Sequence, residues 1–289
     1  MSASLEPRPA AFAAPSADRP ERAARFAGVR LASGLRLHYV EQGDPSRPAL
    51  VLLHGFPDSW FSFTPVLDAL ADTHRVIALD LRGHGDSAKP VGSYALPEVA
   101  ADVVAFLDAL GIARASLLGH SFGSLIAQHV AVRAPGRVER LVLVGSAADP
   151  RNAVIGELRA AVHEMDDVPV EFVRDFQHGT VHRPVSPAFM RRVVDVSAAV
   201  PRHVWRSVTD ALVADDARAP IGRIAAPTLL VWGDRDAVFD RAQQEALLAG
   251  IAGARLTLYA GTGHAPHWEE PERFARDVRE FLGGGGEAE

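Results

Sequence analysis

The chain has 289 residues, of which 48% are hydrophobic, so it is long enough for one large α/β domain or one domain with an insertion. Its formal net charge of −6 argues against nucleic-acid binding, which needs a basic face, and the absence of cysteine excludes disulfides, thiolate catalysis and zinc–thiolate sites. We expect no cofactor, metal or membrane partner, because the sequence lacks a metal-ligand cluster, a phosphate loop, a dinucleotide motif and a long apolar span.

The two ends of the chain are predicted to be unstructured. Residues 1–24 are rich in Ala, Pro and Arg and cannot bury enough apolar surface to offset the entropy of ordering. They also lack the continuous apolar stretch of a secretory signal peptide, so we expect a cytoplasmic protein. The glycine-rich segment 283–289 is expected to fray.

The first structured segment is predicted to be a β-hairpin. Apolar residues alternate with polar ones around Leu35, Leu37 and Tyr39, and another short run precedes them at residues 28–34. Six nearly continuous apolar runs follow, which is typical of strands buried on both faces of a parallel sheet. They are Ala49–Gly55, Arg75–Asp80, Ala115–His120, Arg140–Gly145, Thr228–Gly233 and Arg255–Tyr259.

Amphipathic helices are predicted between these strands. One opens with Pro97 and Glu98 and closes with Gly111, and its apolar residues recur at helical spacing. Further helical patterns follow Ser121 and occupy residues 240–253 and 270–283. Strands that alternate with helices predict a mostly parallel, doubly wound α/β sheet with helices on both faces.

Residues 147–226 interrupt this alternation and are predicted to form an all-helical lid. The segment has helical spacing, several prolines and no convincing strand, and it would divide the core domain into residues 25–146 and 227–284. Most of its large apolar side chains are expected to form its own core. We expect Phe176 and Trp205 to face a substrate pocket, since such pockets are mostly apolar and lie between layers.

One short stretch predicts a nucleophile. The sequence LLGHSFGS, Leu117–Ser124, places Ser121 between Gly119 and Gly123, after a predicted strand and before a predicted helix. Small flanking residues allow the tight turn that lifts a serine hydroxyl above the strand, and the helix N-terminus there favours developing negative charge. The alternative role for Ser121 is that of a simple helix N-cap.

Five segments together resemble the α/β-hydrolase fold family, and the resemblance covers nearly the whole chain. Beside Leu117–Ser124 they are LLHGFPDSW (Leu52–Trp60), LDLRGHGDS (Leu79–Ser87), LLVWGDRDAV (Leu229–Val238) and GTGHAPHWEEPERF (Gly261–Phe274). The resemblance implies eight core strands, an active site at their carboxyl ends, and a catalytic triad in the chain order serine, acid, histidine.

The resemblance also implies which histidine is the general base. His264 follows the last predicted strand and a Gly-Thr-Gly loop, at the family's Gly-His position. His267 is its nearest rival and is expected to be a surface or packing residue. His54 and His120, at strand ends, are expected to support loop geometry, and His84 to belong to a structural turn.

The family pattern Gly-x-x-Asp selects Asp236 as the triad acid. Asp234 would then shape the turn through its own backbone contacts, and Asp149 is a third option, after an earlier strand. The resemblance further implies two oxyanion donors, the backbone N–H groups of Phe56 and Phe122. The rings of these two residues are also expected to contact the substrate.

A serine nucleophile favours acyl transfer, with hydrolysis of a small-molecule carboxylic ester through an acyl-enzyme as the leading function. Related dehalogenases and epoxide hydrolases use an aspartate, because the alkyl ester it forms can be hydrolysed whereas the ether left by a serine cannot readily be. Epoxide hydrolases also use cap tyrosines, and none of the three tyrosines here lies in residues 147–226.

Several alternatives to ester hydrolysis use the same triad. Related carbon–carbon bond hydrolases carry a Gly-Pro-Gly loop and a tryptophan after the histidine, whereas this chain has Phe56-Pro57-Asp58 and Ala265. Lactonases and cofactor-free haloperoxidases are not separated from esterases by these residues. A ligand receptor or signalling protein with slow turnover is the alternative from outside the enzymes.

Overall fold

A computed structural model describes residues 24–283, so the predicted unstructured ends lie outside the described residues, apart from Ala24 and Gly283. One eight-stranded sheet runs through this range in the order β1-β2-β4-β3-β5-β6-β7-β8. The strands are β1 Arg25–Arg30, β2 Arg36–Gln42, β3 Ala49–Leu53, β4 Arg75–Leu79, β5 Ala115–His120, β6 Val138–Val144, β7 Thr228–Gly233 and β8 Arg255–Tyr259. The pairs β1–β2 and β2–β4 are antiparallel, and the other pairs are parallel.

Ten α-helices lie in residues 24–283. They are α1 Thr64–Ala71, α2 Leu96–Ala109, α3 Phe122–Arg133, α4 Ala153–Glu164, α5 Val170–Gly179, α6 Pro187–Ala198, α7 Arg202–Val213, α8 Arg241–Gly250, α9 Pro266–Glu269 and α10 Pro271–Leu282. Short 3-10 helices occupy Trp60–Phe63, Pro135–Arg137, Asp215–Ala217 and Ile221–Arg223.

The sheet separates two apolar cores. Along β3, Leu50 and Leu52 point into the core shared with α1 and α10, and Val51 and Leu53 point into the core shared with α2 and α3. This alternation is what strands buried on both faces require. The predicted mostly parallel, eight-stranded sheet with helices on both faces is confirmed.

Two local predictions are also confirmed. Strand β1 pairs with β2 as an antiparallel hairpin, with Val29 opposite Leu37. Helix α2 begins beside Pro97 and Glu98, and the chain leaves it through Gly111 at φ 66°, a conformation that glycine adopts without a steric penalty.

Between β6 and β7 the chain forms α4, α5, α6 and α7 and no strand, in agreement with the expected helical character of residues 147–226. We call these four helices the insertion. Helix α4 packs against α7, and α5 packs against α6. Asn152 caps α4, because its side-chain oxygen accepts the N–H of Ile155 at 2.9 Å.

Helix α3 lies unusually close to the sheet. A Cβ atom built on Gly123 would lie 2.2 Å from the carbonyl oxygen of Leu53, and one built on Gly119 would lie 2.4 Å from the carbonyl oxygen of Gly123. These neighbours are backbone atoms of regular elements and cannot rotate away. Only glycine therefore allows α3 to begin directly above β3 and β5.

We expect Gly123→Ala to lower the free energy of unfolding by about 3 kcal/mol, because the added methyl group must displace backbone. Gly156→Ala is the matched control: Gly156 is exposed on α4, nothing lies within 4 Å of where an added methyl group would sit, and this change should raise stability by about 0.5–1 kcal/mol. Urea unfolding followed by tryptophan fluorescence measures both. A Gly123→Ala variant as stable as the parent would contradict the close-packing account.

Candidate functional site

Ser121 lies at the sharp turn between β5 and α3. It is the only non-glycine residue within 24–283 with a positive φ, 51°, a strained conformation that costs about 1–3 kcal/mol. The surroundings hold it there: its N–H donates to Val144 O at 2.9 Å, and its carbonyl accepts the Ser124 N–H at 2.8 Å. Such strain, over-determined by its neighbours, is concentrated at functional sites.

A buried group of polar side chains supports this turn from behind. Ser124 Oγ donates to the Ser121 carbonyl at 2.5 Å and lies 2.7 Å from Ser146 Oγ. Gln128 Nε2 donates to Ser146 Oγ at 2.9 Å, and Gln244 Nε2 donates to the Ser146 carbonyl at 2.7 Å. Helices α3 and α8 and the end of β6 therefore share one hydrogen-bonded group beneath Ser121.

His264 and Asp236 form a buried pair. His264 Nδ1 lies 2.8 Å from Asp236 Oδ2, and their side chains are 3% and 0% exposed. The other carboxylate oxygen, Asp236 Oδ1, accepts the N–H groups of Val238 at 2.8 Å and Phe239 at 3.1 Å. A carboxylate fixed at both oxygens keeps the proton of the imidazole on Nδ1 and leaves Nε2 able to accept one.

The backbone of His264 is anchored as well. Its N–H donates to the carbonyl oxygen of Thr180, just after α5, at 2.8 Å, and its own carbonyl accepts His120 Nε2 at 3.1 Å. Gly145 lies against the ring, where a Cβ atom would approach Nδ1 to 2.9 Å. The imidazole is thus wedged between the sheet and the insertion.

Ser121 and His264 line one cavity of about 110 Å³, with Phe56, Phe122 and Phe176 among its walls. The structure therefore brings together the predicted serine and histidine, with Asp236 behind the histidine. The walls come from the carboxyl-end loops of the sheet, from α3 and α9, and from α4, α5 and α7 of the insertion.

The two predicted oxyanion donors lie at this cavity. Phe122 is the first residue of α3, where a helix N–H has no partner within the helix. Phe56 belongs to the loop after β3, whose turn is closed by the Asp58 N–H donating to Gly55 O at 2.9 Å. The rings of Phe56 and Phe122 meet edge to face, with centroids 6.5 Å apart.

Trp205 does not line the cavity. Its indole is fully buried and packs edge-on against Phe56 at 4.6 Å and against Phe176 at 5.8 Å, in the layer behind them. Its predicted contact with a substrate is therefore replaced by a packing role. Phe176, the other residue predicted from the insertion, does line the cavity.

The acids considered beside Asp236 lie elsewhere. Asp234 Oδ1 accepts the N–H of Gly261 at 2.6 Å, which agrees with its expected role in shaping the turn. Asp149 pairs with Arg151 at 2.8 Å, and its carboxylate makes no hydrogen bond to His264 in the described structure.

The other histidines near the site make structural contacts. His54 Nε2 accepts the N–H of Leu81 at 3.1 Å, and His84 Nδ1 donates to Arg82 O at 2.9 Å. Burial lowers the pKa of His84 to about 4 and that of His54 well below its ordinary value. Both imidazoles are therefore neutral at neutral pH and support the loops, as expected.

His267 is fully buried. Of its two predicted roles, the surface position is therefore wrong and the packing role is confirmed. Its ring lies among those of Phe63, His120 and Phe274, and neither of its nitrogens has a hydrogen-bond partner within residues 24–283. Burial lowers the pKa of His267 to about 3, and that of His120 well below 6.5, with the neighbouring histidines adding to the effect.

Asp58 and Gln177 are site residues that the sequence analysis missed. The Asp58 carboxyl is buried and lines the cavity, and its Oδ1 accepts Gln177 Nε2 at 2.8 Å. Burial raises the pKa of Asp58 to about 7. One signal was present: a charged residue directly follows Pro57, in a stretch between the aromatic residues Phe56 and Trp60.

Within the described part of the chain, no group of three or more His, Asp or Glu side chains could hold a metal ion. None of the helices there is both long and apolar enough to span a bilayer.

Comparison with known proteins adds the family. The model of the alpha/beta hydrolase fold family matches residues 48–271. The chain is 28% identical over 261 residues to 3-oxoadipate enol-lactonase 2 of Acinetobacter baylyi, covering 89% of this chain and 97% of that protein. It is 29% identical over 279 residues to epoxide hydrolase 4 of Mus musculus, covering 83% of this chain and 74% of that protein.

Among solved structures, that of a hydrolase from Pseudomonas aeruginosa superposes with a TM-score of 0.81 at 33% identity. The match covers 89% of this chain and 98% of that one.

Four of the buried histidines, His54, His84, His120 and His267, lie near the site and predict a specific acid sensitivity. Below about pH 6.5 the unfolded chain binds protons at these histidines, whereas the folded chain holds His84 and His267 neutral until about pH 4 and 3. Asp58 acts oppositely, since its folded pKa is about 7, but it is one group against these four histidines. Burial also lowers the pKa values of His74 and His129, which adds to the same acid sensitivity. The free energy of unfolding should fall as the pH drops from about 6.5 to about 4, by about 1.4 kcal/mol per pH unit for each extra proton bound on unfolding.

Urea unfolding across this pH range measures the slope. His267→Leu should reduce it by about one proton, because the variant removes one buried titratable group. His178→Leu, at an exposed position on α5, is the matched control and should leave the slope unchanged. An identical slope in His267→Leu and the parent would contradict the assignment.

Proposed function

The chain belongs to the α/β-hydrolase fold family, and from this premise we propose that it is a serine hydrolase that cleaves carboxylic esters. One observation carries the proposal: Ser121, strained at φ 51°, lines the same cavity as an imidazole whose Nδ1 lies 2.8 Å from a buried carboxylate. A strained serine beside an oriented general base is the arrangement that acyl transfer requires.

In the proposed mechanism, Ser121 Oγ attacks the acyl carbon while His264 Nε2 accepts its proton. Asp236 holds the imidazole in the required tautomer and stabilises the imidazolium as it forms. The protonated His264 then returns the proton to the leaving alkoxide, which departs as an alcohol. Water, activated by the same imidazole, hydrolyses the acyl-enzyme and releases the acid.

Two backbone donors are proposed to stabilise the tetrahedral intermediate. The N–H of Phe122 has no partner within its helix and lies at the positive end of the α3 dipole, and the N–H of Phe56 belongs to the facing loop. Each such donor typically contributes a factor of about 10²–10³ in rate.

One named relative is an epoxide hydrolase and another is an enol-lactonase, so they suggest different reactions for this chain. A serine nucleophile favours lactone hydrolysis over epoxide hydrolysis. Opening an epoxide on Ser121 would leave an ether, which water does not readily cleave. The described structure also offers no tyrosine at the cavity: Tyr94 donates to Pro90 O and Tyr259 to Asp277, both away from the site. An enol-lactone is a cyclic ester, so lactone hydrolysis uses the proposed chemistry unchanged, and we place it second after open-chain esters.

The remaining alternatives are a carbon–carbon bond hydrolase, a cofactor-free haloperoxidase and a ligand receptor with slow turnover. The wall that Asp58 forms, in place of the Gly-Pro-Gly loop, disfavours the first. A screen of p-nitrophenyl esters, lactones and ring-cleavage products separates ester, lactone and carbon–carbon bond hydrolysis. A receptor would stall near one equivalent of product, whereas an enzyme would turn over many.

Ser121→Ala should reduce hydrolysis of short- and medium-chain p-nitrophenyl esters to background, because no other serine lines the cavity that holds His264 among the described residues. A phosphonate should label the parent at Ser121, as read by mass spectrometry of peptides, and should leave the variant unlabelled. Parental rates in Ser121→Ala would end the proposal.

Asp236→Asn should lower kcat/KM by about 10³–10⁴, because an amide in place of the carboxylate favours the wrong tautomer of His264. Asp234→Asn is the matched control, since the same substitution two residues away affects only the turn that Asp234 makes with Gly261. Ester hydrolysis by the two variants is compared at equal protein concentration. A dead Asp234→Asn with an active Asp236→Asn would reverse the assignment.

A further inference from the structure

A buried carboxyl group in an apolar cavity requires an explanation. Asp58 is 2% exposed, yet its side chain lines the cavity that holds Ser121 and His264. None of the residues that line this cavity, all within 24–283, is a lysine or an arginine. A carboxylate buried without a cationic partner is costly, and such a group is retained where it has a function.

The backbone around Asp58 is rigid, so its carboxyl group keeps a fixed position. The N–H of Asp58 donates to Gly55 O at 2.9 Å, and the next residue, Ser59, accepts the N–H of Phe61 through its hydroxyl at 3.2 Å. The N–H of Trp60 donates to buried Asp80 at 2.7 Å. A carboxyl group on such a loop is preorganised to bind a ligand.

One oxygen of the Asp58 carboxyl group accepts a hydrogen bond from the insertion, and the other is available to bind a ligand. Gln177 Nε2 donates one hydrogen to Asp58 Oδ1 and the other to Ser197 Oγ, each at 2.8 Å. Asp58 Oδ2 accepts no hydrogen bond from any residue in the range 24–283. Gln177 and Ser197 are uncharged, so the pairing with the insertion leaves the negative charge uncompensated.

Aromatic rings make up much of the remaining wall. A cation beside such rings is attracted to their electron-rich faces, the more strongly where water is excluded. A carboxylate combined with aromatic faces is the chemistry that recognises organic cations. The aromatic residues that line the cavity are Phe56, Phe122, Phe176, Phe239 and Trp268.

We propose that Asp58 determines substrate specificity, and that together with the aromatic wall it selects esters carrying a quaternary or protonated ammonium group. The inference rests on the proposed ester hydrolysis at Ser121. It goes beyond that function because it identifies the charge of the substrate, and it assigns Asp58 a contact with the bound substrate rather than a role through His264.

Because the Asp58 carboxyl group titrates near neutral pH, the preference for cationic esters should increase with pH. Burial raises the pKa of Asp58 to about 7, so the carboxyl group is neutral below that pH and negative above it. His264 and His120 are the other titratable groups that line the cavity, and the charge of His264 acts on Asp58. Burial holds the pKa of His120 well below its ordinary value, and both substrates use His264 as the same general base. The ratio of the two substrates therefore isolates the effect of Asp58.

The test compares p-nitrophenyl 4-(trimethylammonio)butanoate with its uncharged isostere, p-nitrophenyl 5,5-dimethylhexanoate. At about pH 8 the ratio of their kcat/KM values should fall about tenfold in Asp58→Asn, which removes the charge and keeps an oxygen for Gln177. Asp175→Asn makes the same charge change at an exposed position of α5 and should leave the ratio unchanged. In the parent enzyme, the ratio should rise as the pH increases from about 6 to about 8.

An unchanged ratio in Asp58→Asn would overturn the inference, whether both rates are kept or both fall by the same factor. An equal fall is what the loss of a purely structural bond to Gln177 would give. If Asp58→Asn does not fold, a flat pH dependence of the parental ratio also overturns it. Failure of the proposed function is distinct, because neither ester would then be hydrolysed and the phosphonate would not label Ser121.

Discussion

Backbone contact between α3 and the sheet is the constraint on which the site depends. Gly119 and Gly123 let the helix start directly above β3 and β5, without an intervening layer of side chains. This position forces the connecting residue, Ser121, into a positive φ and exposes its side chain at the carboxyl edge of the sheet. The same edge receives the loops after β3, β7 and β8, so residues distant in the chain meet there.

The site combines buried, uncharged surroundings with a few charged groups. Four histidines near the cavity are held neutral by burial, so they place no positive charge beside His264. In this environment the contact between Asp236 and His264 is less screened than it would be in water. The same burial lowers the free energy of unfolding in acid, because each buried imidazole binds a proton more readily in the unfolded chain.

Much of the architecture could be predicted because it depends on local patterns. Periodicity and turn residues predict the hairpin of β1 and β2, the exit from α2 through Gly111 and the helical character of the insertion. The choice of Asp236 over Asp234 came from the Gly-x-x-Asp pattern of the family that the chain resembles, and the structure pairs Asp236 with His264.

Positions that depend on contacts between layers could not be predicted. Helical spacing puts Trp205 on an inward face of α7, but only the packing of α5 across it decides that Phe176 reaches the cavity and Trp205 does not. The environment of Asp58 likewise arises from Gln177, which is 119 positions away in the chain. The burial of His267 depends on three rings from separate elements.

The hydrogen bond from the His264 N–H to the Thr180 carbonyl limits which segments could be exchanged with those of other family members. Further hydrogen bonds join the turn after α5 to the segment around His264. The N–H groups of His182 and Arg183 donate to the carboxylate of Glu269. The guanidinium of Arg183 donates to the carbonyl of Gly261. A chimaera that received foreign helices in place of the insertion would lose these anchors and loosen the imidazole. Transplants whose downstream junction comes before α5, leaving residues 180–183 native, would keep the loop intact while replacing α4.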